Sequence, residues 1–232
     1  MRGRRAVLRA LAGLGATPGL SPLPRLLGLA GAGALGIGTP LAALALPARA
    51  LPARALRFPR DHGAHPDLRT EWWYITGHLE AGDAQFGFQV TFFRSRVDGT
   101  QAMASKLAAR QLVFAHAAVT DLQGRKLWHD QRIAREGFGV AQAAREDTRV
   151  QLRDWTLARE PGGAYLARLP AGDFTLDLRF TPTQPLLLQG QAGLSRKGPE
   201  ERQASYYYSQ PQLKAEGRLQ LKDQRFDVAG RA

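Results

Sequence analysis

Short runs in which apolar and polar residues alternate dominate the chain after residue 70. The clearest run is residues 173–180, where Phe and Leu occupy every second position and Thr, Asp and Arg lie between them. A period of two predicts strands with one buried and one solvated face, as in antiparallel sheets. This alternation favours an all-β fold.

Other runs have the same character, at residues 71–79, 86–96, 112–120, 126–133, 148–157, 186–189, 205–210, 213–221 and 224–229. Turn sequences containing Gly, Pro or Asp separate them, and only residues 101–111 offer a helical alternative. With about ten strands, sheet edges can be protected by closing a barrel or by packing two sheets as a sandwich. We favour an antiparallel barrel whose interior is wide enough for a ligand.

A change of composition divides the chain at Phe58. Every Trp, Tyr and Phe lies at or after this residue, whereas residues 1–57 contain eight Arg and no Lys, Asp or Glu. Arg4-Arg5 before Ala-Val-Leu resembles a twin-arginine export signal, and small-x-small triplets at 43–45, 48–50 and 53–55 are candidate cleavage sites. We predict a non-globular export leader over residues 1–57 and a domain over residues 58–232.

The leader predicts a periplasmic or extracellular destination. The alternatives are a retained amino-terminal membrane anchor, which would keep the protein near a membrane, or an incorrectly assigned start codon. Eight of the twelve net positive charges lie in the leader, and the remaining charges mix both signs, so we predict no nucleic-acid partner. The absence of Cys excludes disulfides, thiolate nucleophiles and cysteine metal sites.

The most informative segment is residues 58–77, which contains Phe-Pro-Arg-Asp-His-Gly-Ala-His-Pro and then Glu-Trp-Trp-Tyr-Ile-Thr-Gly. On a strand, Trp72 and Tyr74 point one way, while Glu71, Trp73 and Ile75 point the other. A carboxyl group beside a large apolar ring has its pKa raised by desolvation, which suits a general acid. Alternatively, Glu71 is a hydrogen-bonded or solvated residue at the strand start, and the aromatic residues fill the core.

These motifs, with Gly-Phe-Gln-Val-Thr-Phe-Phe-Arg at 87–94 and Ser-Tyr-Tyr-Tyr-Ser at 205–209, resemble the AttH/CrtC lipocalin-like family. That family includes carotenoid 1,2-hydratases and proteins labelled as predicted secreted hydrolases. The resemblance covers residues 58–232 and implies a lipocalin-like barrel. Family members continue into a second lipocalin-like domain, so the resemblance implies that this chain is the first half of that architecture, and it leaves the activity uncertain.

If the chain is an enzyme, the resemblance implies a hydro-lyase that adds water to a carotenoid double bond. Protonating an alkene requires an acid that is neutral at working pH, aromatic faces and a long apolar slot. Glu71 or Asp61 could be the acid, and His62 or His65 could relay a proton. Candidate ligand-binding residues are Trp72, Trp73, Tyr74, Phe92, Tyr206, Tyr207 and Tyr208. The chain has no G-x-S-x-G or H-E-x-x-H motif, so a hydrolase is not supported.

We predict no cofactor and no metal. His62 and His65 with Asp61 and Asp67 offer enough donors for a metal, but loop His residues next to Gly and Pro are more often surface or turn groups. His116 and His129 are interpreted as structural. Three functions remain: an exported carrier of an apolar, isoprenoid or lipid-like ligand, an active hydratase, and an envelope or transport-complex partner without catalysis.

Overall fold

The computed structural model describes residues 50–232, and the twin-arginine pair and most of the expected leader lie outside the described residues. Two single turns of 3-10 helix occur, at Arg60–His62 and Asp98–Thr100. Within residues 50–232, no helix is long and apolar enough to cross a membrane. The strands are β1 Thr70–Ala81, β2 Ala84–Arg96, β3 Gln111–Asp121, β4 Lys126–Arg135, β5 Ala141–Ala143, β6 Arg149–Leu152, β7 Trp155–Arg159, β8 Tyr165–Pro170, β9 Phe174–Thr181, β10 Leu187–Leu188, β11 Leu194–Arg196, β12 Ala204–Tyr206, β13 Tyr208–Ser209, β14 Lys214–Leu221 and β15 Gln224–Arg231.

Eleven of these strands form one antiparallel sheet in the order β4-β3-β2-β1-β15-β14-β9-β8-β7-β6-β5. The sheet curls into a nearly closed barrel, so the predicted all-β antiparallel fold is confirmed in its barrel form. The remaining strands pair as β10 with β13 and β11 with β12 in the connection between β9 and β14. This connection, residues 182–213, lies against the outer side of β1.

Several predicted elements differ from the observed ones. The run 148–157 is a hairpin of β6 and β7, because Arg153 takes a left-handed φ of 57° and reverses the chain. The run 205–210 is interrupted at Tyr207, and β5, β8 and β11 were not predicted. Residues 101–110 form turns and irregular backbone, so the helical alternative for this segment is wrong.

The inward side chains of the barrel pack into a single apolar cluster. Phe92, Trp155 and Phe180 are fully buried within it, and the rings of Phe88 and Phe180 stack with centroids 5.7 Å apart. Burial on this scale stabilises a fold by about 25 cal/mol for each Å² of apolar surface removed from water. Aromatic and aliphatic side chains therefore occupy the interior in which we expected a ligand.

Candidate functional site

Arg94 is the centre of a buried polar network where β1 begins and β2 ends. Its side chain is completely buried, its Nε donates to Glu71 Oε2 at 2.7 Å, and its Nη1 donates to Gln111 Oε1 at 2.6 Å. Its other hydrogen bonds go to the backbone carbonyls of His65, Pro66 and Leu68. One guanidinium thus fixes both the carboxylate and the loop that precedes β1.

His65 connects Glu71 to Asp61. Its Nδ1 lies 2.7 Å from Glu71 Oε1, and its Nε2 lies 2.8 Å from Asp61 Oδ1. Its backbone N–H also donates to the carboxylate of Glu71. The Asp61 carboxylate accepts two further hydrogen bonds from Arg54, at 2.7 and 3.0 Å. The five residues Arg54, Asp61, His65, Glu71 and Arg94 form an ion-pair chain in which basic and acidic groups alternate.

The ion-pair chain lowers the pKa of both carboxyl groups. Burial alone would raise the pKa of Glu71, but hydrogen bonds from His65 and Arg94 together bring it below its ordinary value. Burial likewise opposes ionisation of Asp61, and Arg54, the Arg57 backbone N–H and His65 hold its pKa far below its usual range. The upward shift expected for Glu71 is therefore wrong, because charged partners outweigh desolvation. Catalytic roles for Asp61, His65 and Glu71 stay a prediction.

His62 lies apart from the ion-pair chain, although it is next to Asp61 in sequence. Its ring is buried, its Nδ1 lies 2.9 Å from the Tyr208 hydroxyl, and its ring centroid is 4.5 Å from that of Phe58. Its carbonyl accepts from Trp73 Nε1 at 2.8 Å. Burial, assisted by the positive charge of Arg159, lowers the pKa of His62 to about 4. The imidazole is therefore neutral at pH 7.

The aromatic candidates fall into separate places. Trp73 and Phe92 belong to the core, so the side of β1 that carries Trp73 is the inward one. Trp72 and Tyr74 face outward, and the Tyr74 hydroxyl lies 2.8 Å from that of Tyr207. This hydrogen bond, with partial burial, raises the pKa of Tyr207 to about 12. Tyr208 joins His62, and Tyr206 lies under the Arg54 guanidinium at 4.3 Å. The structure does not assemble these residues into one pocket.

The segment just before Phe58 contacts the connection between β9 and β14. The Pro52 carbonyl accepts a hydrogen bond from the Tyr206 hydroxyl at 2.6 Å, and Leu56 lies against Gly193. Arg54 holds Asp61 in the ion-pair chain. Residues 52–57, which we expected to be leader, therefore pack against the domain. The physical reason is that a buried carboxylate at residue 61 needs a cation, which the upstream segment supplies.

We expect Arg54→Ala to lower the free energy of unfolding by about 1–2 kcal/mol, because Asp61 loses a bidentate partner while staying buried. The loss is smaller than for a fully buried pair because the Arg54 side chain is 35% exposed. Urea unfolding followed by tryptophan fluorescence measures it. Arg57→Ala is the matched control, since Arg57 contributes its backbone N–H to Asp61. Equal effects of the two substitutions would contradict the pairing.

An uncharged face lies on the outer side of β1, β2, β3 and β4, between Glu80 near one end of β1 and Arg135 at the end of β4. Strand register aligns side chains into rows across this sheet, and one row consists of Trp72, Phe93, Phe114 and Ile133. The rings of Phe93 and Phe114 stack with centroids 4.6 Å apart. The next two rows carry polar groups without Lys, Arg, Asp or Glu: Tyr74, Thr91, His116 and Gln131, then Thr76, Gln89, Ala118 and His129. These twelve residues are the uncharged face; Thr91 is buried among them, and Trp72 and Tyr74 lie next to Tyr207 of the connection between β9 and β14.

The outer side of the other half of the barrel is different. Across β8, β9, β14 and β15, the outward positions are mostly charged, and acidic and basic residues lie opposite each other. They are Arg168, Asp177, Arg179, Lys214, Glu216, Arg218, Arg225, Asp227 and Arg231. This second pattern is typical of a solvated sheet face. The uncharged face is therefore a property of one half of the barrel and not of the whole surface.

A partly open groove of about 230 Å³ lies on the uncharged face. Residues from three neighbouring strands line it, mainly imidazole and amide groups around two small alanines, with one acidic residue: Gln89, His116, Ala117, Ala118, His129, Asp130 and Gln131. The row of Trp72, Phe93, Phe114 and Ile133 lies beside it. Polar donors and acceptors thus adjoin a strip of apolar surface. Within residues 50–232, no three His, Cys, Asp or Glu side chains are grouped so that they could hold a metal ion.

Sequence reasoning missed the residues that build this face. His116 and His129 were interpreted as structural, yet both point outward and line the groove. Phe93 and Phe114 were absent from the candidate ligand-binding residues. The sequence does contain a signal for this face: every second residue of β2 and of β3, on the outward side, is uncharged, whereas the outward positions of β9 include charged residues.

Comparison with known proteins agrees with the fold. A family model described as AttH-like matches residues 49–232. A crystal structure assigned to AttH from Nitrosomonas europaea is similar, with 46% identity and a TM-score of 0.71. The match covers 78% of this chain and 55% of that chain, so this chain spans about half the length of that structure. No curated protein sequence matches. The chain belongs to the AttH-like family.

Proposed function

We propose that this chain is an exported protein that binds an isoprenoid or lipid-like ligand with one polar end on the uncharged face. The observation that carries the proposal is the aromatic row beside a polar groove, on a sheet whose opposite half is charged. A contiguous apolar patch rimmed by polar groups is typical of a binding site. The export part of the proposal rests on the leader sequence alone.

The two parts of the face suit the two parts of such a ligand. An apolar chain can lie along the stacked rings of Phe93 and Phe114 and bury carbon surface there. A hydroxyl or carbonyl at its end can exchange hydrogen bonds with the imidazoles and amides of the groove. The paired hydroxyls of Tyr74 and Tyr207 lie at the margin of the same face. The ligand is therefore oriented with its polar end in the groove and its apolar chain on the aromatic row.

Binding without hydration is the form of the proposal that the electrostatics favour. A hydratase needs a neutral acid next to the alkene, whereas Glu71 and Asp61 are held ionised by Arg94 and Arg54. Both carboxyl groups also lie in the ion-pair chain and not on the uncharged face. The interior of the barrel offers no better place for a polyene, because packed side chains fill it.

Titration of the full chain with an acyclic carotenoid that carries one hydroxyl group tests this proposal by tryptophan fluorescence. We expect Phe114→Ala to weaken binding about 10- to 100-fold, since a buried Phe contributes about 1.5–3 kcal/mol. Leu166→Ala is the matched control, because Leu166 is a partly exposed apolar residue on the outer side of β8. It should leave the affinity unchanged.

Other outcomes support the competing functions. In a separate incubation, the protein is mixed with an acyclic carotenoid that has no hydroxyl group. Detection of a hydrated product by mass spectrometry would establish a hydratase and contradict binding without chemistry. A folded protein that takes up no carotenoid would contradict the ligand proposal and favour a transport-associated or envelope partner. Circular dichroism of each variant verifies that the β-sheet is intact, so lost binding is not mistaken for lost structure.

A further inference from the structure

Three exposed large apolar side chains lie in loops at one end of the barrel and are not among the twelve residues of the uncharged face. Met103 and Leu107 are in the loop between β2 and β3, and they are 48% and 65% exposed. Phe138 is in the loop between β4 and β5 and is 62% exposed. Because β2 ends and β3 begins at the same end at which β4 ends, both loops belong to that end.

Hydrogen bonds and a cation–π contact hold the two loops together. The Nη1 of Arg135 donates to the Leu107 carbonyl at 2.5 Å, and its guanidinium lies 4.3 Å from the centre of the Phe138 ring. In the first loop, Arg110 Nη2 donates to the Met103 carbonyl at 2.7 Å. Arg110 and Arg135 therefore stabilise the two loops that carry these apolar side chains.

The charge around this apolar tip, defined as Met103, Leu107 and Phe138, is basic. Lys106 and Arg110 are exposed in the first loop. Two acidic residues lie in these loops: Asp98 is paired with Arg96 at 2.9 Å, and Glu136 accepts a hydrogen bond from the backbone N–H of Ala143 at 3.4 Å. Apolar side chains that project between cations have the composition of a surface that enters the headgroup region of an anionic bilayer.

We propose that the apolar tip docks on an anionic phospholipid bilayer. Leu107, Met103 and Phe138 enter the boundary between headgroups and acyl chains, Lys106 faces lipid phosphates, and Arg110 and Arg135 hold the two loops in place. A protein partner fits less well, because three side chains on loops cover far less than the roughly 800 Å² that each partner buries in a stable interface. The proposal concerns a different surface from the ligand-binding face and is independent of it.

The lack of Cys in the chain allows a local test that the leader cannot obscure. We label Leu107→Cys with an environment-sensitive fluorophore in the full chain and add vesicles of phosphatidylcholine with or without phosphatidylglycerol. Emission should shift to the blue and rise several-fold only when phosphatidylglycerol is present. Leu122→Cys is the matched control, because Leu122 is an exposed leucine in the β3–β4 turn at the opposite end of the barrel. Its label should not respond.

The charge requirement has its own variant. Lys106→Gln should raise the lipid concentration that gives half-maximal emission of the Leu107 label about fivefold, which corresponds to ~1 kcal/mol for one basic residue near the surface. Three results overturn the proposal: a silent label at residue 107, equal responses at residues 107 and 122, or an equal response with phosphatidylcholine alone. Measuring the unfolding midpoint of each labelled protein excludes misfolding as the cause of a silent label.

Discussion

Replacing Arg94 with alanine is expected to destabilise the protein by at least 3–5 kcal/mol, a large part of the roughly 5–15 kcal/mol that a domain has. The substitution leaves the Glu71 carboxylate without the cation that neutralises it. It also removes donors from Gln111 and from three backbone carbonyls that precede β1. Each buried acceptor that loses its donor costs about 1–3 kcal/mol.

The midpoint of urea unfolding, followed by tryptophan fluorescence, measures this loss. Arg94→Lys tests geometry separately from charge, because an ammonium group keeps the charge but cannot reproduce the planar fork. We expect it to recover only part of the stability. Arg218→Ala is the matched control on β14, where the side chain is exposed on the charged outer face. A loss at Arg94 no larger than at Arg218, which should be within about 0.5 kcal/mol, would show that the network is dispensable.

Lowering the pH from 7 to 5 is expected to destabilise the protein by ~2 kcal/mol through His62. The pKa of His62 is lowered from 6.5 in the unfolded chain to about 4 in the fold, by burial and then by Arg159. The unfolded state therefore binds more protons between these values. Stability is complete above the unfolded pKa and is lost as the pH falls toward the folded one.

Urea midpoints at a series of pH values between 7 and 5 measure this dependence. His62→Gln removes the titrating group, so its midpoint should change less over that range, whereas His78→Gln, at an exposed position of β1, should change as the unaltered protein does. Asp61 and Glu71 act at lower pH, because their lowered pKa values give stability that is lost only below their ordinary values of 3.8 and 4.5. An unchanged slope in His62→Gln would refute the assignment.

Much of the fold follows from local pattern. The alternation along residues 173–180 predicted β9 almost to the residue, and the opposite directions of Trp72 and Trp73 followed from the same parity. One prediction failed because of a backbone reversal. A left-handed Arg153 divides one predicted strand into two, and no Gly or Pro marks that position.

The environment of Glu71 shows the limit of local reasoning. The neighbouring Trp73 ring suggested a raised pKa, which is correct for desolvation taken alone. Arg94, which lies 23 residues further along the chain, reverses the shift because strand pairing places it directly opposite Glu71. The sequence of residues 58–77 does not indicate that Arg94 is the partner of Glu71.

The sequence by itself determined the all-β class, the family and which side chains of a strand share one side, because these depend on neighbouring residues. Tertiary structure decided which strands are adjacent and in which register. Only that register joins Trp72, Phe93, Phe114 and Ile133 into one row, places His116 near His129, and sets Glu71 opposite Arg94. The neutralisation of the Glu71 charge and the composition of the uncharged face both depend on residues that are distant in the chain, and only folding brings these residues together.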